Sequence, residues 1–293
     1  MANTISYQAE WGVKLVERLK KPTNWKETCD TLYTDTQVYT LPYVGSASES
    51  AFQAGLTRGN TYTFQDITET TQSLSISTFD ILSELLDRAD EAQSNYAKRM
   101  DRAALQGDKL NERVQAIVQA NNAAWTDFGD TGGGVLGLGS TTITVSATNV
   151  DDIVRVVIEQ IYTANGLDLY RRNGGFIEWK PAEWTFMVQF MQANGFNLAD
   201  QSLKNGGQIG IDYLGLYHYV TNPVTALHTF AGVRKIQTIG ILKSTYGKIY
   251  ITEDPAGASG GNISGIGVNT RLDYGLIVRA VQKPLVFDMN TAV

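Results

Sequence analysis

Two glycine-rich stretches, two histidines and one cysteine are the residues of this 293-residue chain whose types could do chemistry. Gly132-x-Gly134-x-x-Gly137 spells the dinucleotide-binding pattern, in which glycines let a pyrophosphate approach the backbone at a helix N-terminus. That chemistry needs the pattern to follow a strand and open a helix, whereas here it follows a helical pattern and leads into the β-branched run 142-TITVS-146. Gly257-Ala258-Ser259-Gly260-Gly261 spells a nucleophile elbow. The following 262-NISGIGVNTRLDYG-275 is not helical, and no histidine lies after Ser259 to complete a triad in the order that fold requires. His218, in the tyrosine-rich 217-YHYV-220, reads as a cross-strand pairing residue, and His228 has no serine, cysteine or paired carboxylate near it in sequence. With Cys29 alone and two histidines, neither a disulfide framework nor a Cys/His metal cluster is expected. No catalytic residue, cofactor or metal site is therefore expected.

Composition narrows the class further. At 43% hydrophobic and 18% charged residues, the chain can build a sizeable core. A net charge of −6 gives no general footprint for nucleic acid, although contact through one local face stays open. No run approaches the 18 or more apolar residues of a membrane span, and 1-MANTISYQAEWGVKLVERLKK-21 lacks the apolar centre of a signal peptide, so a cytosolic product is expected.

The elements that would have to position any site are more informative. Apolar or small residues recur at Leu82, Leu85, Ala89, Ala92, Tyr96, Met100 and Ala103, and again at Leu110, Val114 and Ile117, steps of three and four that predict one helix. Leu85, Ala89, Tyr96 and Met100 would form its buried face, and mixed charges its solvated one. Gly107 marks a point where the rod can bend or break. From Ile81 to Val118 an unbroken rod would span roughly 57 Å, against a radius of gyration of about 19 Å for a compact chain of this length. Such a rod needs burial from neighbours.

Ahead of it, residues 9–21 are amphipathic, with Trp11, Leu15 and Leu19 on one face, and Pro22 ends them. Residues 23–44 are polar with scattered aromatics and read as an arm lying across another surface, its own domain or a neighbour's. Residues 46–78 carry a turn signal at Arg58-Gly59-Asn60 and alternation at Tyr62 and Phe64, then at Leu74 and Ile76, which predicts a two-stranded hairpin too poor in apolar residues to stand alone. Beyond the rod, Asn149 or Asp151 should cap a helix over 152–165. A strand at 176-FIEW-179 precedes a helix opened by Pro181 and closed by Gly195, a strand pair spans 208–222, and further strands are expected at 248–252 and 272–287.

Three stretches, in this order, resemble the major capsid proteins of tailed bacteriophages. They are 59-GNTYTFQDITETTQSLSIS-77 running into 81-ILSELLDRADEAQSNYAKRMDRAALQGDKLNERVQAIV-118, then 174-GGFIEWKPAEWTFMVQFM-191, then 203-LKNGGQIGIDYLGLYHYVTN-222. The resemblance implies an α+β chain with the Hong Kong 97-type capsid fold: an N-terminal arm over 1–45, an extended β-hairpin loop over 46–78, a peripheral domain with a long spine helix over 79–145, an axial domain over 146–245, and a return to the peripheral strands over 246–293. It implies a structural protein that self-assembles as hexamers and pentamers into an icosahedral shell around a double-stranded DNA genome, in a virion assembled in the host bacterial cytoplasm. It places inter-subunit contacts on the arm and loop, for which Trp11, Trp25, Phe52, Arg58, Tyr62 and Phe64 are the candidates. Implied partners are a separate scaffolding protein and a portal, with room for a decoration protein, non-specific contact with the packaged DNA, and no membrane. No lysine occurs between Lys26 and Lys98, so the lysine cross-link that the type member makes from its loop is not expected. The alternatives are an encapsulin-like compartment shell, a glycine-loop nucleotide-binding or hydrolytic enzyme, and a tail or decoration protein.

Overall fold

The computed structural model describes residues 15, 24–44, 57–59, 61, 69–87, 96–128, 142–194, 211–221, 228–253, 255 and 265–293. Among them the chain forms a five-stranded sheet, a seven-stranded sheet and a separate two-stranded ribbon. In chain order the elements are α1 (Asn24–Thr28), β1 (Asp30–Thr34), β2 (Val38–Val44), β3 (Glu69–Ser75), β4 (Thr78–Asp87), α2 (Tyr96–Ala120), β5 (Thr126–Phe128), β6 (Ile143–Thr144), α3 (Val150–Thr163), α4 (Leu167–Asn173), β7 (Gly175–Trp179), α5 (Pro181–Ala193), β8 (Ile211–Tyr213), β9 (Leu216–Val220), β10 (His228–Val233), β11 (Gln237–Leu242), β12 (Ile249–Glu253), β13 (Gly265–Val278) and β14 (Val286–Ala292).

The seven-stranded sheet runs β5-β14-β10-β7-β9-β8, with β6 also on β14. Its central strand β7, GFIEW, is buried at every position, and alternation puts Phe176 and Glu178 on one face and Ile177 and Trp179 on the other. Helices α3 and α5 cover the second face. They contribute Ile153, Val157, Ile161, Met187 and Met191, all fully buried, to a core shared with Trp179 and Leu216. Pro181 opens α5 as expected, and the Glu183 carboxylate turns back to accept the Lys180 N–H at 3.2 Å. Asn149 precedes α3 but does not cap it. Its Oδ1 accepts from the Ser146 N–H and its Nδ2 donates to the Thr144 carbonyl, both at 2.8 Å, so it closes the turn before the helix instead.

The five-stranded sheet is organised by β13, a strand of 14 residues. On one side it pairs with β4 over ten rungs, Thr78↔Tyr274 to Asp87↔Gly265. On the other it pairs with β11 and β12, and β1 adds to β11 in parallel. Helix α2 lies on the inner face, where Leu110, Val114 and Val118 meet Ile239, Ile241, Val268 and Leu272 in a second core. Polar groups reinforce the seat: Gln106 donates to Glu84 at 3.0 Å and Arg113 to Asp80 at 2.7 Å.

Two expectations are corrected here. The periodic stretch is not one rod, because Thr78–Asp87 is a strand and the described helix begins at Tyr96. Leu85 therefore lies on a sheet, not on a helix face. The run TFDILSELLD satisfies both a three-to-four and a two-residue period, and ten ladder pairs with a strand almost two hundred residues away decide between them. The remaining helix has 25 residues, roughly 37 Å, and passes through Gly107 unbroken with that residue buried. Ala89 lies outside the described residues, while Tyr96 and Met100 fall in the first turns of α2.

The second correction concerns the arm. Trp25, expected at a contact between subunits, is fully buried in its own chain with Leu15 and Cys29, against Leu110 and Val114 of α2. The inner-sheet core takes the whole indole out of water, and α1 and β1 lie beside it. The hairpin is also longer than expected. Its first strand is β2, paired with β3 from Val38↔Ser75 to Val44↔Glu69. Arg58 and Gly59 sit in an exposed turn with the Gly59 φ at +103°, as the turn signal predicted. The block 246–293 divides between the sheets, β12 and β13 in one and β14 in the other.

Where β3 leaves the ribbon it crosses the outer face of the five-stranded sheet, and two glycines make the crossing feasible. A Cβ on Gly275 would collide with the Ser75 carbonyl, and one on Gly240 would lie 2.6 Å from Leu74 Cδ2. Leu74 and Ile76 are buried by this approach. Gly275→Val is expected to cost about 2–3 kcal/mol and to lift the ribbon from the sheet. Urea denaturation combined with limited proteolysis near Arg58 checks this, and unchanged stability and cleavage would contradict it.

Candidate functional site

Helix α2 serves two cores, and the side chains that join it to the seven-stranded sheet are polar. Gln115 and Gln119 lie one turn apart and both aim at Glu178 in β7. Gln115 Nε2 is 3.1 Å from Glu178 Oε2, and Gln119 Nε2 is 3.1 Å from the same oxygen and 3.2 Å from Thr221 Oγ1. Below them, Trp125 Nε1 donates to Gln237 Oε1 at the start of β11, whose Nε2 reaches the Val118 carbonyl at 3.4 Å. Trp125 stacks edge-on against Phe176 and Phe230. This junction ties the helix, both sheets and the segment after β9 into one unit. None of its polar members was singled out from the sequence. The available signal was amides at 111, 115, 119 and 122, roughly one per turn beside the apolar stripe, together with a lone glutamate inside an apolar strand.

Burial dominates the electrostatics of this region. It pushes the Glu178 carboxyl from 4.5 up to about 7, against the opposing hydrogen bonds from Gln119 and Gln115. The fold thus favours the neutral acid, and its stabilising contribution is fully present below about pH 4.5 and is lost as pH rises through 7. His218 behaves oppositely. It is buried, its Nδ1 accepts from Trp179 Nε1 at 2.8 Å, and burial lowers its pKa from 6.5 to about 4. Its neutral form is favoured, so stability present above pH 6.5 is lost as pH falls through 4. Burial likewise raises the Cys29 thiol to about 12, which leaves it an inert apolar filler.

The other groups that could have done chemistry are structural where they are described. His218 is a cross-strand residue of β9, opposite Ile177 and Ile211, and packs among Trp179, Trp184 and Tyr213 in the core. His228 does have a carboxylate, which its sequence neighbours did not reveal: Asp288 lies 2.8 Å from Nδ1 and also accepts from Asn122 at 3.0 Å. That contact fastens β10 and β14 to the turn after α2. Asp151 is buried, accepts the Tyr213 hydroxyl at 2.6 Å and pairs with Arg155. Lys180 spans Glu183 at 2.9 Å and the Thr291 carbonyl at 2.7 Å, fixing the C-terminal strand to the start of α5. Both glycine motifs, Gly132 to Gly137 and Gly257 to Gly261, lie outside the described residues, as do Trp11, Phe52, Tyr62 and Phe64.

What the surface offers is area. On the outer face of the five-stranded sheet, beyond the ribbon crossing, Phe79, Ile81 and Leu85 of β4 and Tyr250 of β12 are all at least 41% exposed. On β13 between them, Arg271 lies over the Phe79 ring at 4.3 Å and pairs with Asp273 at 2.6 Å. Val38 and Tyr39 of the ribbon are exposed as well. An apolar row on a sheet face suits a contact with another protein surface better than it suits water.

Glu178→Gln should stabilise the chain above pH 8 by up to about 3 kcal/mol relative to the parent, with the advantage disappearing below pH 4.5. Urea midpoints of both proteins at pH 4.5 and 8 test this. Equal differences at the two pH values would show that the carboxyl titrates as if exposed.

No protein-family model matches the sequence, and no curated protein does. Solved structures do. One of Mycobacterium phage Che8 is similar with a TM-score of 0.60 at 14% identity, over 87% of this chain and 85% of that one. The capsid structure of Cyanophage P-SCSP1u follows at 0.56 and 14%, over 93% and 89%. A virus-like particle from Pyrococcus furiosus is similar at 0.53 and 8%, over 97% and 99%. At these identities the likeness is one of fold. The chain has an α+β architecture of the Hong Kong 97 capsid type.

Proposed function

We propose that the chain is a major capsid protein, which assembles as hexamers and pentamers into an icosahedral shell enclosing a phage double-stranded DNA genome. The observation that carries this reading is a fold shared with capsid structures across 93% of the chain. The features of the subunit fit the role. A two-stranded ribbon is seated on its own sheet through Leu74 and Ile76, and an apolar row on the same sheet face remains uncovered. Burial that one subunit lacks is then supplied by its neighbours. The role is structural and non-catalytic. Its partners would be other copies of the chain, a separate scaffolding protein, a portal, in some particles a decoration protein, and the enclosed DNA without sequence readout. The location would be the virion capsid, after assembly in the cytoplasm of the host bacterium.

A second reading, a protein shell without a phage genome in the manner of an encapsulin-like compartment, is favoured by the match to a virus-like particle over nearly the full length of both chains. Nuclease-protected genomic DNA in particles from the native source separates the two. Its presence supports the capsid, its absence the compartment.

Expression of the chain, alone and with its neighbouring genes, should give closed shells or flat hexamers and pentamers by light scattering and negative-stain imaging. A persistent monomer under both conditions would overturn either shell reading. Ile81→Asp with Leu85→Asp, both at exposed positions, should leave thermal unfolding within about 1 kcal/mol of the parent yet lower particle yield at least tenfold. Normal particle yield would remove this face from the contact.

A further inference from the structure

One corner of the subunit departs from the acidic balance of the chain. Helix α4 ends in Arg171 and Arg172, both exposed. The turn between β10 and β11 carries Arg234 and Lys235, and the backbone binds the two together: Arg234 N–H donates to the Gly174 carbonyl at 3.0 Å, and Asn173 Nδ2 to the Arg234 carbonyl at 3.2 Å. Helix α1 brings a further cation, Lys26, because the Lys235 N–H donates to the Thr28 carbonyl at 2.7 Å. Five cations, Lys26, Arg171, Arg172, Arg234 and Lys235, thus gather with three carboxylates, Glu27, Asp30 and Asp168, on a chain whose net charge is −6.

The roles within this cluster differ. Arg234 is committed inward: it pairs with Glu27, donates through Nε to the Glu27 carbonyl at 3.0 Å, and lies 4.8 Å from the Tyr217 ring centre. Arg171, Arg172 and Lys235 form no ion pair among the described residues, and Arg172 has only a backbone contact, Nε to the Asp168 carbonyl at 3.3 Å. Lys235 adopts a φ of +62°, a left-handed conformation that a lysine takes only when its surroundings enforce it. Three uncompensated cations therefore project from a corner whose backbone is held by four elements. A folded corner of this kind loses little side-chain and no loop entropy when it meets a partner, beyond the three long side chains themselves.

We propose that this corner is where the shell subunit touches the backbone phosphates of the enclosed duplex. The inference rests on the capsid reading and adds the residues and the chemistry to it. Arginine forks match phosphate oxygens two at a time, and a lysine adds a mobile point charge. Duplex fits better than single strand, because Tyr217 is covered by Arg234, Trp25 beneath Lys26 is fully buried, and Tyr170 is engaged by the Tyr162 ring and the Leu214 carbonyl, which leaves unpaired bases no ready stacking platform among these rings. Three contacts on an acidic subunit make each interaction weak and salt-sensitive. A packed genome is thereby held by many copies without being pinned at any one.

The test uses unassembled full-length subunits and a fluorescent random-sequence duplex, with binding followed by anisotropy across a salt series. The parent should bind with a log–log salt slope of about −3, close to one per phosphate contact. Arg171→Gln, Arg172→Gln and Lys235→Gln together should lower affinity at least tenfold at low salt and flatten the slope, while particle formation by light scattering stays at parent level. An unchanged affinity and slope would overturn the assignment. Polyglutamate of matched charge binding as tightly as duplex would also overturn it, pointing to an acidic polypeptide as the partner. Failure of the parent itself to form particles would sink the capsid reading separately, whatever the duplex result.

Discussion

One helix has to satisfy two cores at once, and the architecture depends on how it does so. The apolar stripe of α2, Leu110, Val114 and Val118, fills the five-stranded sheet. Its amides, Gln115 and Gln119, close over a carboxyl at the centre of the seven-stranded sheet. Apolar contacts alone would hold the helix but leave its rotation and register loosely specified, since they have no direction. Two amides spaced one turn apart on a single buried acid set both, because a slip of one residue would strand polar groups in the core at a cost of about 1–3 kcal/mol each. A neutral acid is the species that this site holds most readily.

The outer face of the same sheet is arranged around a different requirement. A two-stranded ribbon has too little apolar surface to be stable by itself, so a larger sheet must grip it. Gly240 and Gly275 let Leu74 and Ile76 come down onto the strands at backbone range. Beyond that grip the sheet face keeps Phe79, Ile81 and Leu85 in water. Within one subunit this is a loss. In the shell proposed above, the same row would be a surface that every copy can both offer and use.

Local chemistry was readable in the sequence wherever an element decides its own conformation. Pro181 after FIEW, the valine-rich helix beyond Asn149 and the glycine turn at Arg58-Gly59 needed no distant partner to be recognised. Apart from the cap expected of Asn149, the readings that failed turn on partners far along the chain. Thr78–Asp87 is a strand because of residues 265–274, and Val38–Val44 belongs to the ribbon because of residues 69–75. Trp25 is core because residues from α2 to β13 surround it. Glu178 was not singled out, because its burial depends on a helix laid across the strand from elsewhere in the chain. The capsid resemblance supplied the fold type that periodicity could not, though it carried the arm too far outward, while periodicity carried the helix too far toward the N-terminus.

The parallel pairing of β1 with β11 sets when the subunit can form. Asp30 finds Thr238, and Thr34 finds Leu242, so the first strand of the sheet waits for one made about two hundred residues later. At synthesis rates of about 5–20 residues per second that interval is tens of seconds at the slow end, during which Trp25 and its neighbours have no core to enter. Contacts so distant in sequence also make for slow closure once the chain is complete. The nascent polypeptide therefore cannot present a finished sheet, with its sticky outer row, while it is still tethered to the ribosome. Late closure therefore leaves β1 and Trp25 without their partners until β11 and β13 are made, a long window in which unpaired strand edges are open to wrong pairings.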